Sequence, residues 1–426
     1  MNLLFMMLAL VVLLLIGVPV AYSLGGAGFL YMLIVQPSFL MSFPQRIWSG
    51  VDSFILIAMP LFMLSGELMN HGGLTKRLID FSLLLVKPIH GGLAEVNVVA
   101  SMVFGGITGS SVADTSALGS ILIPDMIRKG YPKGFTTGVT VASSTVGMII
   151  PPSIPMLMFA MISGVSVGKL FIGGLIPGIL VGIFQLIYTY VVSIKYGYHQ
   201  FNDSTAGKQK DLKIMKDGLL TVLMPVLILL TVSSGICTAS ESAAIAVLYS
   251  FILGKLVYKE LTWKTIWSSL KKVAMTTASI MIIGGFTMVF TWILAYEKVP
   301  DLIAHFLTTS HIPNWIVFLF LDVLILFLGT FLDVVPCILL IGPILMPVLQ
   351  QFGMNPIQFG MVLIVGLAIG LDTPPVGMCL NVAAKLSNMS IIDVFKAAAP
   401  FLICNVLVLL LVTFVPMVSL WLPALI

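Results

Sequence analysis

Charge is what this chain has least of. Asp, Glu, Lys and Arg make up 9% of its 426 residues, against roughly 25% in a soluble globular protein. A soluble protein of this length needs a polar surface, so the deficit excludes one. Cysteine is also scarce: Cys237, Cys337, Cys379 and Cys404 lie in or beside apolar segments without metal-ligand spacing, and they read as small packing residues. The five histidines, His71, His90, His199, His305 and His311, fall in expected loops or interfacial segments. No G-x-S-x-G, H-E-x-x-H or P-loop pattern occurs, which leaves hydrolase and nucleotide chemistry without a foothold. The apolar N-terminus lacks a basic region and a small-residue cleavage site, so it reads as a retained membrane helix rather than a signal peptide.

What remains is apolar. Hydrophobic residues make up 59% of the chain and the mean hydropathy is +1.13. Runs long enough to cross a bilayer, about 20 residues, are expected at 2–17, 19–37, 52–70, 134–163, 169–194, 217–233, 239–258, 274–296, 357–385 and 397–423. Two further apolar stretches, 91–128 and 314–350, bend at polar centres, Gly109-Ser110-Ser111 and Leu332-Asp333-Val334. Each reads as a re-entrant helical hairpin, with two ordinary spans as the plainer reading. Basic residues cluster at Lys76–Lys87, Arg128–Lys133, Lys195–Lys216 and Lys255–Lys272. The positive-inside rule puts all four clusters in the cytoplasm and both termini outside.

The 38 glycines and 23 prolines are not scattered. At an offset of 223 residues, without gaps, Gly106, Gly119, Pro124, Gly130, Gly147 and Pro177 fall on Gly329, Gly342, Pro347, Gly353, Gly370 and Pro400. In the same register, Pro151-Pro152 falls on Pro374-Pro375. Five full spans per half make the two copies inverted. The expected fold is an all-α polytopic membrane protein with an inverted repeat, two re-entrant hairpins and two discontinuous helices. The first repeat is 1–200: scaffold helices 1–70, arm 74–87, hairpin 91–128, broken helix 134–163 and helix 169–195. A cytoplasmic loop, 201–216, follows. The second repeat is 217–426: scaffold helices 217–296, arm 299–310, hairpin 314–350, broken helix 357–385 and helix 397–423.

Broken helices in lipid free backbone groups that protein or water must satisfy. Pro151 and Pro152 remove two successive amides, so carbonyls near Gly147 and Met148 lose helical partners. Together with the hydroxyls of Ser110, Ser111 and Ser153, these oxygens suit a hard cation such as Na⁺. A kinked helix with Ser/Thr back-bonding is the bland alternative. In the second copy, Asp333 is either an N-cap or a midplane ligand, or both. Asp114 and Asp372 hold comparable positions, whereas Asp322 and Glu241 read mainly as scaffold partners or caps. Both centres lack Arg and Lys nearby in sequence, so a bound anion would rely on helix N-termini, hydroxyls and Na⁺, or on an arginine that folding brings from the facing half or from a partner. The competing readings are a stand-alone divalent-anion or ion antiporter of similar repeat design, a passive scaffold, and an intramembrane aspartyl protease built on Asp333 and Asp372.

The run Gly109-Ser-Ser-Val-Ala-Asp-Thr-Ser-Ala-Leu-Gly119, the Ile150-Pro-Pro-Ser153 break, the Gly329-Thr-Phe-Leu-Asp333 tip and the Leu371-Asp-Thr-Pro-Pro-Val-Gly377 break together resemble the large membrane subunit of tripartite ATP-independent periplasmic (TRAP) transporters, the DctM-like family. The resemblance covers essentially the whole chain. It implies an elevator-type transporter of the bacterial inner membrane. A separate small subunit of about four helices and a periplasmic substrate-binding protein are its partners, and no organic cofactor or nucleic acid is involved. It further implies Na⁺-driven uptake of a carboxylate, a sialic acid first and a C4-dicarboxylate second. By motif, one sodium site falls at Ser110, Ser111, Gly147, Ile150 and Pro152. The other falls at Thr330, Asp333, Gly370, Thr373 and Gly377. Substrate then lies near Ser110, Ser111, Ser153, Thr373 and Pro375, with Asp114 and Asp372 as further candidates.

Overall fold

A computed structural model describes residues 2–86, 92–198 and 208–426. Lys87, His90, residue 91 at the head of the first expected hairpin, His199 and the 201–207 part of the expected loop lie outside the described residues.

The described chain is helical, with no strand among the described residues. In order, the helices are α1 (Asn2–Leu15), α2 (Val20–Ile34), α3 (Phe43–Val51), α4 (Phe54–His71), α5 (Leu74–Val86), α6 (Gly92–Thr108), α7 (Ser111–Arg128), α8 (Lys133–Ser144), α9 (Val146–Ile149), α10 (Ile154–Ser163) and α11 (Val167–Tyr196). They continue as α12 (Lys208–Ser233), α13 (Ala239–Phe251), α14 (Trp263–Tyr296), α15 (Val299–Thr309), α16 (Asn314–Phe331), α17 (Val334–Gln351), α18 (Pro356–Gly370), α19 (Met378–Ser387), α20 (Ile391–Phe414) and α21 (Met417–Leu420). Among the described residues, nine helical stretches are long and apolar enough to cross a membrane. The protein is a multi-pass membrane protein.

Two segments differ from expectation. The polar stretch expected as a loop to residue 216 is helical from Lys208 onward, so α12 begins well before its apolar span. Lys, Gln, Leu and Met are good helix formers, and no glycine interrupts the run before Gly218. The connection between the expected spans 19–37 and 52–70 contains α3, which starts with proline in its first turn and packs on α14.

Helices α6–α10 and α16–α20 form one packed group, in which α8 lies on α20, α18 on both α16 and α20, α10 on α17, and α7 on α19. Helices α1–α4, α13 and α14 pack against one another beside it. The two interrupted helices lie deepest. Every residue of α18 from Gln358 to Gly370 is buried, as is every residue of α8 from Thr136 to Ser144. A helix buried on all sides must satisfy its polar groups internally. Gln358 accordingly donates to the Val412 and Thr413 carbonyls at 3.1 and 2.9 Å. Asp322 accepts the Thr413 hydroxyl at 2.9 Å and so ties α16 to α20. Glu241 closes a capping box with Thr238 at the start of α13.

The α8–α9 junction, one short helix ahead of the first break, is pinned by amides. Gln185 Nε2 donates to the Ala142 carbonyl at 2.9 Å and to Asn405 Oδ1 at 2.7 Å. Asn405 Nδ2 donates to the Thr145 hydroxyl at 3.0 Å. Gln185→Leu removes both donations and leaves Asn405 Oδ1 without its donor. The expected cost is about 1–2 kcal/mol. It is read as a lower thermal unfolding midpoint in detergent, and an unchanged midpoint would show that the network carries no stability.

Candidate functional site

The first tip joins α6 to α7 through Gly109 and Ser110. Gly109 sits at φ +62°, and a Cβ there would fall 2.9 Å from the Pro152 carbonyl oxygen and 3.1 Å from the Ile154 nitrogen. Only glycine gives both this backbone conformation and so close an approach of tip to break. Ser110 caps α7, accepting from the Ala113 amide. The Thr108 hydroxyl donates to Asp114 Oδ1. Asp114 is fully buried, and its Oδ2 has no hydrogen-bond partner among the described residues. It lies against Gly147, whose missing side chain leaves it room. The buried Ser111 hydroxyl is likewise unpartnered among the described residues.

The facing break runs from α9 to α10. Ile150 is extended, Pro151-Pro152 is a cis pair, and Ser153 caps α10. Ser153 donates its hydroxyl proton to the Met148 carbonyl at 2.5 Å and accepts the Met156 amide at 3.4 Å. Its oxygen is engaged in holding the break, and the residue is fully buried.

The second tip joins α16 to α17. Leu332 is extended, and Asp333 caps α17 by accepting the Val334 amide at 2.7 Å. Its partner break follows α18. The Thr373 hydroxyl and the Asp372 amide both donate to the Ile369 carbonyl, at 2.9 and 3.0 Å, and the Thr373 amide donates to the Gly370 carbonyl at 3.0 Å. Pro374-Pro375 is also cis. The Val376 amide donates to the Thr330 carbonyl at 3.3 Å and joins break to tip. Asn381 Nδ2 occupies the Val376 and Gly377 carbonyls at 2.6 and 3.2 Å. Asp372 is fully buried with both carboxylate oxygens unpartnered by any N–H or O–H of the described residues. The Cys379 thiol is its neighbour and also approaches Thr115 and Ser144.

Two kinds of space result. One is closed: Asp114 Oδ2, both Asp372 carboxylate oxygens and the Ser111 hydroxyl are buried without an N–H or O–H donor among the described residues. Unpaired buried carboxylates are costly, and hard cations take such oxygen sets. The other is open. A cavity of about 470 Å³ is lined by Thr108, Gly109, Ser110 and Ser116 beside the first tip, by Asp333 at the second, by Met148, Leu371 and Met378 from the breaks, and by Gly66, Glu67, Asn70, Lys272 and Thr276 from α4 and α14. Its size suits a small organic molecule.

The expected substrate residues therefore separate. Ser110 lines the cavity, Ser111 and Ser153 are buried behind it, and Thr373 and Pro375 do not line it. Asp333 opens on the cavity while Asp372 is buried away from it. An aspartyl protease dyad needs both carboxylates on one accessible site, so this arrangement offers none. Lys272 and Glu67, paired at 2.5 Å across α14 and α4, escaped sequence reasoning. They are 205 residues apart, and Lys272 belongs to what reads as a basic loop. The one signal was its place two residues before the apolar run 274–296.

The chain matches the family described as tripartite ATP-independent periplasmic transporter, DctM component, over residues 7–418. It is 36% identical over 410 residues to the sialic acid TRAP transporter large permease protein of Vibrio cholerae, covering 96% of this chain and 95% of that one. It is 36% identical over 401 residues to the C4-dicarboxylate TRAP transporter large permease protein of Pseudomonas aeruginosa, covering 94% and 93%. A 2,3-diketo-L-gulonate TRAP transporter large permease protein of Escherichia coli is 32% identical over 401 residues, with 94% of each covered. Among solved structures, the YdaH transporter of Alcanivorax borkumensis superposes with a TM-score of 0.65 over 92% of this chain and 90% of that one. At 13% identity, that likeness shows the fold alone.

Proposed function

Because this chain belongs to the DctM component family of tripartite ATP-independent periplasmic transporters, we propose that it is the translocating large permease subunit of a sodium-coupled importer of an organic acid. The acid is of the sialic acid or C4-dicarboxylate class, two of the classes carried by the names of relatives. The observation that carries this reading is the cavity on which the tips of both hairpins open, Ser110 from one and Asp333 from the other.

Sodium ions are cargo in this scheme. One is held between the first tip and its break, with Ser110, Ser111, Gly147, Ile150 and Pro152 around it and Asp114 supplying negative charge. The other is held between the second tip and its break, by Thr330, Asp333, Gly370, Thr373 and Gly377, with Asp372 nearby. The unpartnered buried oxygens of Ser111, Asp114 and Asp372 support this placement. Bound Na⁺ offsets the acidic character of the tips and lets a carboxylate approach them. The two repeats are inverted in the membrane. Helices α6–α10 and α16–α20 move as a transport unit past the scaffold of α1–α4 and α12–α14, an elevator motion. A small four-helix membrane subunit covers the scaffold, and a periplasmic protein delivers the substrate. The chain resides in the inner membrane with both termini periplasmic.

Proteoliposomes holding this chain, its small subunit and its binding protein test the reading. N-acetylneuraminate or succinate is expected to accumulate when an inward Na⁺ gradient is imposed. Uptake that persists with K⁺ fully replacing Na⁺, and with no pH gradient, would overturn sodium coupling.

A further inference from the structure

The Glu67–Lys272 pair lines the substrate cavity with no hydrogen bond to either tip among the described residues, and nothing in the reading above uses it. Three features define what it can do. First, Lys272 is the one basic side chain among the described residues lining that cavity, which otherwise carries the carboxylates of Glu67 and Asp333. An organic anion entering the space meets one positive charge, and this is it. Second, the pair is lopsided. The Lys272 side chain is 66% exposed while that of Glu67 is 17% exposed, so the ammonium is the more accessible partner. Third, Glu67 is poorly satisfied. Its Oε1 takes Lys272 at 2.5 Å, whereas Oε2 has no hydrogen bond among the described residues, and its other basic neighbour is His71 Nδ1 at 3.7 Å.

From this we propose that Lys272 is the carboxylate-receiving cation of the cavity and Glu67 the competing counter-ion that limits how long the substrate is held. The proposal rests on the organic-acid reading above and adds a residue that its motifs do not contain. An ion pair this exposed is weak, so a substrate carboxylate displaces Glu67 from Lys272 at little cost. Lysine suits the exchange because its ammonium is a flexible point charge with three donors rather than a fixed fork. Glu67, left half-buried with neither oxygen on an ammonium, then draws Lys272 back, and the anion is released. The site binds without becoming a trap.

A plain scaffold clamp between α4 and α14 makes a different forecast, because the loss of either partner of a clamp has the same consequence. An exchange makes the two substitutions opposite. In the proteoliposome complex, with N-acetylneuraminate and succinate as probes, Lys272→Gln is expected to raise KM about tenfold or more. That is the loss of one charge-assisted hydrogen bond. Lys272→Arg, which keeps the charge, stays within about threefold of the parent KM. Glu67→Gln lowers both KM and kcat severalfold, because the freed ammonium holds the anion longer. The Na⁺ concentration for half-maximal uptake stays at the parent value in all three. An unchanged KM in Lys272→Gln, or a Glu67→Gln variant that copies Lys272→Gln, overturns the exchange while leaving the transport reading standing. Absence of uptake of either probe by the unsubstituted complex overturns the transport reading and this proposal together. If Lys272→Gln does not fold, the sign of the KM change in Glu67→Gln decides alone.

Discussion

Asp114→Asn is expected to raise the Na⁺ concentration for half-maximal uptake by about 30- to 150-fold while leaving protein yield and thermal midpoint at the parent values. The carboxylate is fully buried, Thr108 satisfies one oxygen, and the other has no partner among the described residues. Asparagine keeps the shape and the acceptor for Thr108, and it removes the charge and turns the unpartnered oxygen into an NH2 donor that cannot ligate a cation. A charged ligand to a cation is worth about 2–3 kcal/mol, and each 1.36 kcal/mol is tenfold. If Asp114 served the fold alone, the neutral isostere would be tolerated or stabilising, since a buried uncompensated charge is a cost rather than a gain. Sodium titration of uptake separates the two. A half-saturation within threefold of the parent would remove Asp114 from the ion site.

A second large effect is expected from Gly370→Val, which should lower stability by about 3 kcal/mol and abolish uptake. Gly370 ends α18 where it crosses the end of α16. A Cβ at Gly370 would lie 2.6 Å from the Gly329 Cα and 3.0 Å from its carbonyl oxygen. The obstructing atoms are backbone, so no rotamer change relieves the clash. Overpacking at such a crossing costs 1–3 kcal/mol even for modest insertions, and valine places two methyl groups beyond the Cβ. The tip must then separate from its break, taking Thr330 away from the Val376 amide it holds at 3.3 Å. Gly134→Ala is the matched control. A Cβ there meets only the Ala397 methyl at 3.6 Å, an ordinary contact, and alanine favours the helix by about 0.5–1 kcal/mol. The midpoint should fall in the first variant and hold or rise in the second. Equal behaviour would remove the close crossing as a requirement.

These two positions show why some of the site is legible in the sequence and some is not. Glycine and proline act on the backbone where they stand. Gly109, the two proline pairs and the Asp333 cap therefore marked tips and breaks before any tertiary contact was considered. Glu241 was legible for the same reason, since a capping box is written within four consecutive residues. The Lys208–Lys216 stretch departs from the expected loop because polarity in a membrane protein suggests a loop, whereas its residue types also favour helix beyond the lipid.

Nothing local distinguishes Ser110, which opens on the cavity, from Ser111, which is buried behind it. Their difference is set by the direction of the first turn of α7 against the opposing break. Asp322 reaches Thr413, and Glu67 reaches Lys272, across separations of 91 and 205 residues. Composition and punctuation by themselves determined the membrane class, the apolar helices and the places where those helices break, because hydropathy and backbone freedom are properties of short segments. Only the tertiary structure decided which oxygens are left without donors and which lysine faces the cavity. Burial and charge partnership are relations between segments, and they come into being when α4, α7, α14, α18 and their neighbours pack.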